Sequence, residues 1–299
     1  MNKLPIKTRA QILNMLCEGS SMRSISRITG VSINTVLKLL EDGGEVCAAF
    51  HDEHVSSVKA TRVQVDEIWS FTYAKQKNVA IAKDAPRVAG DTWTWTALEA
   101  DTKLIVSFAV GDRDSDCAKR FMGDVAARLA NRVQLTSDGH RAYLDAVENA
   151  FGADVDYAQL VKLFGASPDS SKGRYSPAEC NGIKKTTIEG RPDQKHISTS
   201  FVERQNLSMR MGIRRFTRLT NAFSKKLENH VHALALYFVH YNWMRIHKTL
   251  RVTPAMAAGL TGKLLGWEDI IAIMDDEEKD ARTQKRAAML DELPYSNMG

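Results

Sequence analysis

Three carboxylates stand apart from the other acids of this chain by what surrounds them. Asp66 interrupts an otherwise apolar run that includes Val63, Val65, Ile68, Trp69, Phe71 and Tyr73. An acid inside a would-be core strand is costly unless it is paired or ligates a metal. Asp138 follows the strand-like run Val133-Gln134-Leu135-Thr136 and precedes Gly139. A strand running out into a turn is where α/β folds place reacting groups. Glu203 is the one acid among Arg204, Arg210, Arg214, Arg215 and Arg218. It is either the salt-bridge partner of those arginines or the ligand of a cation. Three carboxylates converging on one point repel one another, and divalent metal removes that cost. Two Mg²⁺ ions held by such a cluster, with Mn²⁺ as a substitute, suit phosphodiester chemistry. Glu67 lies next to Asp66 and alternation turns it to the opposite face, so it is left out of the site. Asp112, Asp114 and Asp116 form a second acidic group, read as the cap of a following helix.

The charge distribution points to the substrate class. The 299 residues carry a net charge of +5, yet Lys172 to Arg251 hold 16 Lys or Arg against 5 Asp or Glu. That concentration suggests a polyanion partner, and nucleic acid is the common one. Four widely spaced cysteines without a CxxC pair do not read as a disulfide framework and fit a reducing, cytoplasmic setting. Cys47, His51 and His54 lack an evident fourth ligand and are read as ordinary helix residues. Met1 to Ala10 is polar and lacks the apolar core of a signal peptide, and no apolar run reaches the length of a membrane span.

The elements that would position the acids follow from periodicity. Residues 5–42 read as an all-α module, with Gly30 at a tight turn and Ser32 capping a helix that presents Asn34, Thr35 and Lys38. This is the pattern of a helix-turn-helix, whose second helix enters a major groove. Asp42-Gly43-Gly44-Glu45 is expected to break that helix, so 1–43 reads as a DNA-binding domain and 44–61 as a linker. Residues 62–245 read as a mixed α/β domain: three antiparallel strands, a helix, a strand, a helix and a fifth strand at Tyr157 to Val161. Residues 165–200 are rich in Gly, Ser, Pro and Lys and read as a basic loop or insertion bearing Lys184 and Lys185. The Glu203 helix should bury a stripe of Val202, Leu207, Met211 and Ile213, with Glu203, Asn206 and Arg210 together on another face. A long helix follows from Phe223 to about Arg245, and residues 246–299 form a helical tail with an acidic run at 275–280.

Strand and helix order of this kind is that of a ribonuclease H-like domain, in which Asp66 and Asp138 sit on neighbouring strands. The motifs resemble those of a DDE transposase of the insertion sequence 1 family. Val65-Asp66-Glu67-Ile68-Trp69-Ser70-Phe71 resembles its first-acid motif, and Ser137-Asp138-Gly139-His140-Arg141-Ala142-Tyr143 its second. Val202-Glu203-Arg204-Gln205-Asn206-Leu207 with Arg210, then Arg214-Arg215-Phe216-Thr217-Arg218, resembles its third. The resemblance implies Asp66, Asp138 and Glu203 as catalytic metal ligands. It implies DNA contacts from Asn206, Arg210, Arg214, Arg215 and Arg218 beside those of the N-terminal module and of Lys184 and Lys185. It also implies double-stranded transposon ends and target DNA as partners, a homo-oligomer on DNA, no membrane, and a bacterial nucleoid-associated location. The spacing departs from members with about 25 residues between the second and third acids: here Asp138 and Glu203 are 65 apart.

Overall fold

The structure, a computed structural model, describes residues 3–165, 180–217 and 221–291, with side chains described as far as 280. It opens with three helices, α1 (Ile6–Cys17), α2 (Met22–Thr29) and α3 (Ile33–His54). Gly30, at φ 70°, turns the chain between α2 and α3. Ser21 and Ser32 accept hydrogen bonds from the backbone N–H groups of Ser24 and Thr35, so both helices carry the side-chain caps their sequences offer.

The expected helix break at Asp42-Gly43-Gly44-Glu45 does not occur. Helix α3 runs unbroken for 22 residues through both glycines, so residues 44–54 are helix and not linker. The reason is packing. Both glycines are buried where α3 meets α8 (Leu227–Val239). A Cβ on Gly44 would lie 2.7 Å from His232 Cα, and one on Gly43 3.1 Å from a Leu13 methyl. Close helix crossing outweighs the roughly 1 kcal/mol that Gly costs a helix.

Beyond α3 comes a six-stranded mixed sheet, with order β3-β2-β1-β4-β5-β6. The strands are β1 (Arg62–Thr72), β2 (Gly90–Glu99), β3 (Ile105–Gly111), β4 (Gln134–Ser137), β5 (Asp156–Phe164) and β6 (Cys180–Glu189). A short helix α4 (Gln76–Val79) lies between β1 and β2. β1, β2 and β3 are antiparallel; β1, β4 and β5 are parallel; β6 returns antiparallel on β5. The sixth strand corrects the expectation of five. It occupies part of the stretch read as a basic loop, and residues 166–179 of that stretch lie outside the described residues.

Each face of the sheet is covered except along the exposed edge strand β6. On one, Val63 and Val65 join Trp95, Phe121 and Tyr143 in a core with α5 (Ser115–Arg128) and α6 (Ala142–Phe151). The same core continues into Ile12, Leu13, Val36 and Leu40 of the N-terminal helices. On the other face, Ile68, Leu98 and Ile105 pack on Val202 and Met209 of α7 (Ser200–Gly212) and on Phe238 of α8. A π-helical turn (His240–Met244) ends α8, α9 (Pro254–Ala257) follows, and α10 (Trp267–Asp291) returns to α1. Asp275 of α10 takes a bidentate pair from Arg9 at 2.7 and 2.8 Å. Among the described residues no helix is long and apolar enough to cross a membrane.

Candidate active site

The alternation of β1 decides what each of its residues can reach. Gln64, Asp66 and Ile68 face α7, while Val63, Val65 and Glu67 face α5 and α6. Strand β4 pairs with β1 only as far as Gln64↔Thr136, in parallel register. Two residues further, past the end of β4, Asp138 comes abreast of Asp66. Its carboxylate accepts the backbone N–H of His140 at 2.9 Å, an Asx turn that fixes its direction. Gly139 is needed here, since a Cβ would sit 2.7 Å from a Val161 methyl.

Helix α7 has no side-chain cap of its own. Gln64 supplies one from the strand: its Oε1 accepts the N–H groups of Phe201 and Val202 at 2.9 and 3.1 Å. Asn206 then donates to Asp66 Oδ2 at 2.8 Å. These bonds tie α7 to the acid-bearing strand. Glu203 reaches the same opening, where Thr199 donates to its Oε1 at 2.7 Å and Lys162 Nζ lies 2.5–2.6 Å from both oxygens. A cleft of about 560 Å³ is lined by Asp66, Asp138 and Glu203 together with Arg113, His140 and Lys162.

Glu67 corrects the sequence reading. Its ligand oxygen lies within 4.8 Å of those of Asp66 and Asp138, and these three form the one group of that kind among the described residues. The side chains of Asp66 and Glu67 leave opposite faces, but β4 has ended there, and the gap past its end admits both. The Glu67 oxygens are already engaged. Arg113 Nε donates to Oε1 at 2.6 Å and the Tyr143 hydroxyl donates to Oε2 at 3.0 Å.

The electrostatics follow from this crowding. Burial, then the charges of Glu67 and Asp138, push Asp66 up to about 7. Burial and Asp138 also raise Glu67, against the opposing pull of Arg113 and Tyr143. Burial holds the Tyr143 phenol well above its ordinary value, so it stays a donor. The carboxylate oxygens of Asp66, Glu67 and Asp138 are close enough to share a cation, which would relieve the repulsion that lifts Asp66, while Glu203 lines the same cleft outside that group.

The other expected contacts divide. Asn34 and Lys38 are exposed and Thr35 half-buried at the start of α3, with Lys38 paired to Asp42. Lys184 and Lys185 are exposed on β6. Arg210 and Arg214 are half-buried, and Arg218 lies outside the described residues. Asn206 is not available to DNA, being buried with its amide on Asp66. Arg215 is also turned inward: its Nε is buried without a hydrogen-bond partner, and burial pulls the guanidinium down to about 10. The stripe expected on α7 is shifted as well, since Leu207 and Met211 are exposed and Val202, Gln205, Asn206 and Met209 are buried. Asn206 turns inward because the strand that α7 covers carries Asp66, and Gln205 lies on the side of Tyr237 of α8. Cys47 and His51 are fully buried, His51 against the carbonyl of Ile105, and His54 stacks on Phe50. Asp114 caps α5 through the N–H of Cys117, the cap read from the sequence.

No family model matches the chain, and no curated protein matches it. Among solved structures it is similar to the piggyBac transposase in a synaptic complex with hairpin DNA, at 8% identity and a TM-score of 0.38, over 99% of this chain and 74% of that one. It is also similar to the Mos1 transposase in a paired-end complex with the left transposon end, at 15% identity and a TM-score of 0.21, over 50% of this chain and 58% of that one. Likeness this loose carries no functional argument, which rests on the side chains of the cleft.

Proposed function

We propose that the chain is a metal-dependent DNA strand transferase, a DDE transposase of an insertion sequence, as its motifs suggest through their resemblance to the insertion sequence 1 family. The observation that carries this reading is the opening of Asp66, Asp138 and Glu203 onto one cleft, from a strand, a strand end and a helix that bond to one another. An acid on β1 and another just past the end of the adjacent parallel strand β4, with β2 and β3 antiparallel on the other side of β1, are what the ribonuclease H-like reading requires. In this reading α1–α3 recognise the terminal repeats, residues 62–245 are the catalytic domain, and 246–299 are the tail.

Asp66, Asp138 and Glu203 would hold the two Mg²⁺ ions. Bound there, the metal supplies activation of a water or 3′-hydroxyl and stabilisation of the leaving oxygen. The protein's own residues prepare this. Asn206 orients Asp66, the Asx turn orients Asp138, and Gln64 fixes the start of the helix that carries Glu203. Lys162 neutralises Glu203 and must exchange its partner when a cation takes that carboxylate. The basic charge around the cleft draws in the phosphate backbone.

Strand transfer tests this. DNA carrying the element's own ends is incubated with Mg²⁺ or Mn²⁺ and the wild type, Asp66→Ala, Asp138→Ala or Glu203→Ala. Joined products from the wild type alone, with end binding retained in all three variants, are expected. Cleavage without joining makes the chain a nuclease, and tight end binding without metal-dependent chemistry makes it a repressor.

A further inference from the structure

Arg113 has no role in the reading above. It follows β3, outside every motif singled out in the sequence, yet its side chain lines the cleft. Its Nε and Nη2 both lie 2.6 Å from Glu67 Oε1, and Nη2 is 3.8 Å from Asp138 Oδ2. The guanidinium sits over the Trp93 ring, 4.9 Å from its centroid. Thus one edge of the fork is clamped by a carboxylate and one plane is covered by an indole. The Arg113 side chain is nevertheless 40% exposed, while that of Glu67 is 1% exposed. Among the described residues Nη1 has no hydrogen-bond partner.

Arg113 neutralises a buried acid from the cleft wall and not from a sealed interior, because its side chain stays 40% exposed. It is held rigid at its inner edge and left open at its outer edge, beside the carboxylates assigned to the metal. Planar guanidinium donors preorganised in that way suit a phosphate oxyanion. We propose that Arg113 binds a non-bridging oxygen of the phosphodiester that enters the cleft, and that Glu67 is a positioning residue that aims it and not a metal ligand. Both Glu67 oxygens are engaged by Arg113 and Tyr143 on a side chain only 1% exposed, whereas Glu203, although paired to Lys162, is 39% exposed and open to a cation from the cleft. The proposal rests on the reading of the cleft as a phosphodiester site.

The test uses the full chain. Single-turnover nicking of supercoiled plasmid with Mn²⁺ is measured for the wild type, Arg113→Ala, Arg113→Lys, Glu67→Gln, the double variant Arg113→Ala with Glu67→Gln, and Asp66→Asn as the chemistry-dead control. Affinity for a 30-base-pair duplex is measured against salt in Ca²⁺, without turnover. Arg113→Ala is expected to slow nicking about 100-fold or more and to reduce the salt slope by about one phosphate contact. Arg113→Lys should regain part of the rate. Glu67→Gln should slow nicking about tenfold, and the double variant should be no slower than Arg113→Ala, because Glu67 acts through Arg113. Melting temperatures no lower than that of the wild type in all variants separate these effects from unfolding. The proposal is overturned if Glu67→Gln is as inactive as Asp66→Asn while Arg113→Ala nicks at the wild-type rate, which would make Glu67 a ligand. It is overturned equally if Arg113→Ala leaves the salt slope unchanged. A wild type that never nicks in any metal, while Arg113→Ala still lowers the salt slope, refutes the catalytic reading and leaves the phosphate contact standing.

Discussion

At the scale of single residues, the cleft is organised around a carboxylate that the protein makes expensive. Asp66 is lifted to about 7 by burial and by its acidic neighbours. The folded chain therefore binds more protons at this position than the unfolded chain does between about pH 4 and pH 7. Stability falls as pH rises through that window, the opposite of the usual trend for a paired acid. Asp66→Asn removes the penalty and keeps an acceptor for Asn206. It is expected to melt above the wild type at pH 8, by on the order of 2 kcal/mol, and to match it near pH 4. Saturating Mn²⁺ should reverse the order at pH 8, because only the wild type gains the metal's binding energy. Thermal melts at the two pH values, with and without Mn²⁺, check both statements. A variant less stable than the wild type at pH 8 without metal would show that the acids do not strain the fold.

At the scale of elements, β1 and α7 do most of the positioning, and the sequence showed half of that. Alternation along Thr92–Leu98 and the β-branched run from Val63 placed the first strands correctly. The capping of α5 by Asp114 was also legible. What local patterns missed came from tertiary partners. Glu67 joins the cluster because β4 stops short, which nothing near Glu67 in sequence reports. Strand β6 is exposed on nearly every residue, so it lacks the buried alternation by which a strand is recognised. Tyr143, within the second motif, was the available signal for a buried group facing Glu67, and Arg113 offered none. Helix α3 shows the same lesson most simply. Two glycines read as a break are a contact surface, because α8 crosses there. Gly44→Ala is therefore expected to destabilise the chain by about 2 kcal/mol, through overpacking against His232, despite the better helix propensity of Ala. Urea unfolding checks the sign: stabilisation would mean that α3 and α8 are not in close contact.

At the scale of the whole molecule, the N-terminal helices are not a bead on a linker. Ile12, Leu13, Val36 and Leu40 share one buried cluster with residues of the sheet and of α8 and α10. The Arg9–Asp275 pair fastens the tail helix to the first helix. The segments read as a DNA-reading module, a catalytic domain and a tail are thus joined by packing as well as by chain. In the proposed function, a duplex held by α1–α3 is held at a defined distance from the cleft. The central claim of that reading is narrower: three carboxylates from three elements form one divalent-metal site. The most direct measurement is Mn²⁺ binding followed by electron paramagnetic resonance, in the wild type and in Asp66→Asn, Asp138→Asn and Glu203→Gln. The wild type is expected to remove about two ions per chain from the free signal, and each substitution to weaken or abolish uptake while the fold persists. Uptake unchanged by all three substitutions would contradict that claim, because the acids would then crowd together for some purpose other than metal.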